Sequence, residues 1–220
     1  MSGPRAPSIA ELPPVIPIFP LSGALLLPRG RLPLNIFEPR YLAMIDDAMR
    51  SHRVIGMVQP ICENEKHPSL YPVGCVGRLT SWSETGDGRL MITLTGLIRF
   101  HIDAELQTTT PYRQVEAGFS PFANDLQESN DETCVDRKRL GASLKSYLKL
   151  RNLDADWSSI ERAPGEVLIN SLAMICPFDV AEKQALLEAP CLATRAQLLT
   201  ALIELAAAGS GNAEGGATLQ

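Results

Sequence analysis

The sequence is poor in the groups from which catalytic and metal sites are usually built. It holds three histidines, His52, His67 and His101, and none falls in an H-x-x-x-H or H-x-E pattern, which argues against a tight metal site. No G-x-x-x-x-G-K-[ST] loop is present to cradle phosphates, and no G-x-G-x-x-G, G-x-S-x-G or H-E-x-x-H motif occurs. No apolar run approaches the roughly 20 residues that span a bilayer. Met1 to Pro14 contains four prolines and no long apolar stretch of the secretory kind. The expectation is a cytoplasmic protein without a membrane partner, metal or other cofactor. The five cysteines, Cys62, Cys75, Cys134, Cys176 and Cys191, are odd in number and form no C-x-x-C, so they are read as reduced thiols.

Excess positive charge is also missing. The net charge is −5. Up to Ser120, eleven Lys or Arg balance eleven Asp or Glu; from Pro121 onward nine basic residues face fourteen acidic ones. Phosphate backbones are held by concentrated Lys and Arg, so nucleic acid is an unfavoured partner. What the chain does have is an ordinary globular composition, 45% hydrophobic and 20% charged over 220 residues, enough for a sizeable core.

The pattern changes near residue 120. Nine of the 17 prolines lie within the first 39 residues. Val15 to Leu21 is β-like but contains Pro17 and Pro20, which cannot donate ladder hydrogen bonds; an edge strand, or a strand that leaves its sheet early, is expected. A helix is expected after Glu38, with Pro39 in its first position and Leu42, Ile45 and Met49 on one face. Strands follow at Val54–Val58, at Pro72–Ser83, and after a Gly86-Asp87-Gly88 turn that predicts a hairpin. Gly96 interrupts the second arm and predicts a bulge or bend. A last strand is expected at Tyr112–Phe119. Beyond it, helical spacing covers Cys134 to Leu153, a segment opened by Pro164 with Leu168, Leu172 and Ile175 inward, an Asp179/Glu182 capping box, and Leu198, Leu199, Leu202 and Leu205. The expected organisation is a flexible lead-in over 1–12, a β-barrel over 13–122, a helical bundle over 131–208 and a disordered tail over 209–220.

One catalytic pattern matches by letters. Ser146-Tyr147-Leu148-Lys149 is S-x-x-K, but the S-D-N and K-T-G companions are missing, and a solvated helix edge accounts for it. His101 and Asp103 lie two apart on a strand, which does not by itself make a base and its partner. No catalytic residue is assigned. The candidate binding residues are Phe37, Glu38, Arg40 and Tyr41, at the corner where an extended segment becomes a helix, and Arg78, Trp82 and Arg99. Arg78 and Trp82 are four apart in a strand-like run and are expected to share a face. Arg and aromatic side chains often dominate interfaces.

Pro17-Ile18-Phe19-Pro20-Leu21, then Leu25-Leu26-Leu27-Pro28, then Leu32-Pro33-Leu34-Asn35-Ile36-Phe37-Glu38-Pro39-Arg40-Tyr41 resembles the opening of the amino-terminal domain of Lon proteases. Val73-Gly74-Cys75-Val76-Gly77-Arg78-Leu79, Asp87-Gly88-Arg89 and Leu94-Thr95-Gly96-Leu97-Ile98-Arg99-Phe100 resemble later segments of that family in the same order. The resemblance implies an α+β fold, a PUA-like pseudo-barrel followed by a C-terminal helical bundle. It also implies recognition of unfolded or extended protein segments, or of a partner protein, without hydrolysis. The ATPase and protease modules of full-length Lon have no counterpart in this sequence, so a stand-alone member is expected, acting as an adaptor in protein quality control, with weak self-association as a further expectation. The competing readings are an RNA- or small-molecule-binding PUA-like protein and a hydrolase without a recognised motif.

Overall fold

A computed structural model describes residues 8–62, 67–127, 135–151 and 153–211, with side chains as far as residue 208. Two compact units are present: Met1–Glu128 with Cys176–Leu187, and Ser129–Ile175 with Glu188–Gln220. The expected tail over 209–220 and Cys134 lie outside the residues whose side chains are described. So does the start of the lead-in. Its remainder is ordered, however: Ile9–Glu11 form a 3-10 turn closed by a Ser8/Glu11 capping box, and Leu12 is buried in the barrel core.

Six strands build the first unit: β1 (Val15–Pro20), β2 (Arg31–Ile36), β3 (Val54–Val58), β4 (Val73–Glu84), β5 (Leu90–Glu105) and β6 (Gln114–Gly118). Their order is β2-β5-β4-β3-β1-β6, and β5 also pairs with β6, so five strands close into a barrel and β2 extends the sheet along the first half of β5. Closure needs one strand long enough to serve two neighbours in succession, and β5 at 16 residues does so. Strand β1 changes partners midway. Val15–Pro17 pair antiparallel with β6 and Ile18–Pro20 pair parallel with β3, so each half has one ladder partner. Pro17 sits where the strand changes partners, a position that tolerates its missing donor.

Inside the barrel, Ile16, Ile18, Val54, Val58, Val76, Ile98, Phe100, Val115 and Phe119 form the core. Every residue of β3 is buried, as its unbroken apolar run predicts. The hairpin between β4 and β5 closes with Gly88 N–H donating to Thr85 O at 3.0 Å, and Gly88 takes the positive φ (78°) that glycine accepts without strain. At Gly96 the ladder register shifts, Val76 pairing with Ile98 but Gly77 with Gly96. A β-carbon there would lie 2.0 Å from the Leu27 carbonyl oxygen, so the glycine lets segment 25–28 lie directly on the sheet.

Helix α1 (Pro39–Arg50) starts where the sequence places it, with Pro39 in the first turn. Its inward face is Tyr41, Met44, Ile45 and Ala48, whereas Leu42 and Met49 are half-buried, a rotation from the expected stripe. The second unit holds α2 (Arg137–Leu150), α3 (Trp157–Arg162), α4 (Gly165–Ile175) and α6 (Leu192–Gly211). Leu140, Leu144, Tyr147, Leu168, Ile169, Ala173, Leu199 and Ile203 are buried. Arg139 grips Glu204 through two hydrogen bonds of 2.9 and 2.8 Å, and buried Arg195 donates to Asn170 at 3.1 Å. Ile175, expected inward, is 78% exposed because it is the last residue of α4, and Leu205 is 66% exposed on α6. The six-residue α3 is too short to show a helical period in the sequence.

Helix α5 (Val180–Glu188) departs from the expected bundle. Its capping box is present, with Glu182 N–H donating to Asp179 Oδ1 at 2.7 Å and Asp179 N–H to Glu182 Oε2 at 2.8 Å. Yet residues Cys176–Leu187 group with the barrel. Polar contacts hold them there. Gln184 donates to Val73 O at 3.0 Å and accepts from Gln59 at 3.1 Å, and Lys183 donates to Gly23 O. Burial pushes the Lys183 ammonium below its usual pKa.

Gly141 stands inside α2, and a β-carbon there would have nothing within 4 Å. Glycine in a helix interior costs about 1 kcal/mol relative to alanine. Gly141→Ala is therefore expected to stabilise the chain by about 0.5–1 kcal/mol in urea unfolding; an unchanged or lowered midpoint would show that the helix needs the glycine.

Candidate functional site

At the strand-to-helix corner, Glu38 precedes the first turn of α1 and pairs with Arg40, whose Nη2 lies 2.8 Å from Glu38 Oε2 and whose Nε donates to the same oxygen at 2.9 Å. The Arg40 guanidinium lies 4.5 Å over the Tyr41 ring. Tyr41 is itself buried, its ring 4.1 Å from that of Phe19. Burial raises the Tyr41 phenol above its usual pKa, with Arg40 opposing. Tyr41 is thus a core residue of the corner, Glu38 and Arg40 form its polar cover, and the Phe37 ring projects, 63% exposed.

The strand face expected to carry Arg78, Trp82 and Arg99 together does not exist, and the reason is a second register shift. Leu79 pairs with Leu94, Ser81 with Thr93 and Trp82 with Ile92, leaving Thr80 as the extra residue of a bulge. One extra residue reverses the alternation of faces. Arg78 pairs with Thr95 and is exposed on that side, while Trp82 follows Ile92 and Leu94 onto the other. Trp82 is 53% exposed, with the Arg53 guanidinium 5.9 Å from its ring. On Trp82's face, half-buried Leu34 pairs with Ile92 from β2. Leu34, Ile92 and Trp82 form one row, with Phe37 just beyond the end of β2.

Arg99 is 4% exposed and belongs to the architecture. Its Nε and Nη2 each donate to Asp125 at 2.8 Å, one to each carboxylate oxygen, and its backbone N–H donates to the same group at 3.0 Å. Its Nη1 donates to Leu187 O at 3.0 Å, and the guanidinium stacks 4.7 Å from the Phe122 ring. Asp125 sits in a 3-10 segment, Ser120–Leu126, whose backbone also accepts from Arg29 at 2.7 Å. Nothing in the sequence marks Asp125 as the partner, 26 positions away.

In the letter match, Ser146 and Lys149 are both exposed on α2, and the Ser146 hydroxyl donates to Ala142 O at 3.2 Å, the usual fate of a helix serine. His101 Nδ1 does lie 3.2 Å from Asp103 Oδ1, on an exposed stretch where β5 shifts register against β6. The described cysteines, Cys62, Cys75, Cys176 and Cys191, are unbridged. No group of three His, Cys, Asp or Glu able to hold a metal occurs among the described residues, and none of their helices is long and apolar enough to cross a membrane.

The barrel unit also holds an open cleft of about 810 Å³ between segments 67–72 and 105–113. On its wall Arg113 binds Glu105 through two short hydrogen bonds and donates to Pro68 O at 2.9 Å. The Glu105 carboxyl is held below its usual pKa, first by that hydrogen bond. Sequence reading missed this cleft; its only signal is the polar Thr108–Thr110 stretch before Tyr112-Arg113.

Over residues 15–204 the chain matches the family model for the ATP-dependent protease La (LON) substrate-binding domain. The chain belongs to the Lon substrate-binding domain family. It is 28% identical to Lon protease 2 of Myxococcus xanthus over 204 residues, covering 88% of this chain and 24% of that protein. The Lon protease of Anaeromyxobacter dehalogenans is likewise 28% identical, over 88% of this chain and 23% of its own length. The chain thus spans about a quarter of the length of these Lon relatives. A Lon N-terminal domain protein from Xanthomonas campestris shares the fold, with a TM-score of 0.58 at 21% identity, covering 85% of this chain and 97% of the other. So does the N-terminal domain of a Mycobacterium avium complex Lon protease, at 0.62 and 18%, covering 86% and 97%. The Lon-domain resemblance and the α+β fold are thereby established for this chain.

Two measurements probe the geometry. Removing one partner of a buried ion pair strands the other charge, at a cost of about 3–5 kcal/mol. Arg99→Met should therefore lower the unfolding free energy by about that amount, and a loss no larger than that of an exposed-site variant would mean Asp125 finds another partner. Tyr112 donates to Asp47 Oδ2 at 2.7 Å, and burial, then Asp47, push its phenol up to about 12. Because the folded pKa lies above the unfolded value of about 10, this contribution is complete below pH 10 and is lost as pH rises through 12. Absorbance titration should show a phenolate step near pH 12 that Tyr112→Phe removes; a chain whose titration is unchanged by that substitution contradicts the assignment.

Proposed function

We propose that this domain binds unfolded or extended protein segments without hydrolysing them, and that Phe37 and Trp82 supply the apolar contacts. The observation that carries the reading is the match of residues 15–204 to a family described as substrate-binding. The exposure of two large aromatic side chains, 63% and 53%, supports it. Aromatic rings offer much contact area at little entropic cost and are over-represented among residues that dominate binding. The Glu38–Arg40 pair gives the Phe37 side a polar rim of both signs, suited to passing polypeptide of varied sequence. Arg78 faces away from this row and is assigned no part in it. Hydrolysis is left out of the proposal: among the described residues, Ser146 of the S-x-x-K match is engaged with its own helix. A segment-binding module of this kind serves as a recognition element or adaptor for a protease.

The test is fluorescence anisotropy of a labelled, reduced and carboxymethylated polypeptide titrated with the full chain. Phe37→Ser and Trp82→Ser should each weaken binding by about tenfold, the equivalent of about 1.4 kcal/mol. Both sites are exposed, so melting temperatures should hardly move. Unchanged affinity in the double variant, or no binding by the parent chain, would overturn the proposal.

A further inference from the structure

The helical unit contains a second, partly open cavity, about 440 Å³, lined by α2, α3 and α4. That size falls in the range of small-molecule sites. Its walls are apolar: Leu140 and Leu144 from α2, Trp157 and Ile160 from α3, Leu168 and Leu172 from α4. Its rim is mostly basic, with Arg137, Lys138 and Lys145 against the single acid Glu161. Arg137 donates to the Glu161 and Ala163 carbonyls and so braces α2 against the end of α3. Lys138 and Lys145 are exposed, and Lys145 Nζ lies 5.0 Å from the Trp157 ring centroid. The neighbouring acids Asp136 and Asp156 are occupied as helix caps, accepting from Arg139 N–H and Ser159 N–H.

Gly141 adds an independent observation. It lines this cavity, one helical step from Lys138 and Lys145, and a β-carbon there would touch nothing. Among the described residues, no packing constraint calls for a glycine at a position where glycine weakens the helix. The space it leaves is the space above the cavity floor.

We propose that this pocket binds a small amphipathic carboxylate, an apolar body seated on Leu140, Leu144 and Trp157 with its anionic head against Lys138 and Lys145. The charge of the rim excludes a cationic head, and the apolar walls offer few groups to pair a polar body. Gly141 holds the mouth open for the chain of the ligand. All the residues that line the site belong to the helical unit.

The chain has two tryptophans, Trp82 and Trp157, so Trp82→Phe leaves Trp157 as the reporter. In that background the full chain is titrated with submicellar decanoate, decanol and decylamine, and the heat of binding is measured in parallel by calorimetry. Decanoate should shift Trp157 emission saturably with one site per chain, with decanol at least fivefold weaker and decylamine weaker still. Gly141→Leu should reduce decanoate affinity at least tenfold with helicity and melting temperature maintained. Lys138→Glu/Lys145→Glu, changed only at exposed positions, should bring decanoate down to the affinity of decanol. The proposal is overturned by a parent chain that shows no saturable response, by decanol binding as well as decanoate, or by a folded Gly141→Leu chain that binds decanoate unchanged.

Discussion

A guanidinium buried in a barrel wall must find partners for its donors, and the way Arg99 finds them organises the first unit. Asp125 meets it with both carboxylate oxygens and also accepts its backbone N–H, which fixes the 3-10 segment 120–126 against β5. The remaining arm of the guanidinium reaches the last turn of α5 through Leu187 O. Two segments 62 residues apart in sequence, Asp125 and Leu187, are thereby tied to one strand position. Such a pair contributes less as net attraction than as specificity, because any arrangement that separates its members leaves a charge stranded in a poorly solvated place. The grouping of α5 with the barrel follows from this clamp together with Gln184 and Lys183, which satisfy Val73 O and Gly23 O.

The second constraint is the pair of register shifts in the β4–β5 ladder. The shift at Gly96 brings segment 25–28 onto the sheet, and the shift at Thr80 turns Trp82 to the face opposite Arg78. A β-strand with perfect alternation would have set Arg78 and Trp82 on one face. Instead the sheet separates Arg78 from Trp82, which lies in one cross-strand row with Ile92 and Leu34, and Phe37 follows the end of β2. Bulges re-aim side chains in this way wherever a barrel must bend.

Much of this fold was legible from local chemistry. Pro39 at the start of α1, the Gly86–Gly88 turn, the buried run of β3 and the Asp179/Glu182 box each act within a few residues, and each appears where the sequence places it. What was not legible depends on distant partners. The side of the sheet reached by Trp82 turns on Thr80, an ordinary strand residue with no glycine or proline to mark a bulge. The burial of Arg99 turns on Asp125, and the placement of α5 turns on Gln59 and Gln184, none of which stands out by spacing. Within the corner, the projecting ring of Phe37 and the buried ring of Tyr41 have similar composition and neighbours, and only the stacking of Tyr41 on Phe19 separates their roles.

The central claim is a division of labour in the barrel unit: Arg99, the 120–126 segment and α5 are architecture, and the exposed Phe37 and Trp82 are the proposed contacts for extended polypeptide. Hydrogen–deuterium exchange of the full chain, with and without a saturating unfolded polypeptide, addresses it directly. The account predicts added protection in peptides covering 32–37 and 81–92, and none in those covering 120–126 and 180–188. Protection appearing at 120–126 or 180–188 while 32–37 and 81–92 exchange unchanged would contradict it.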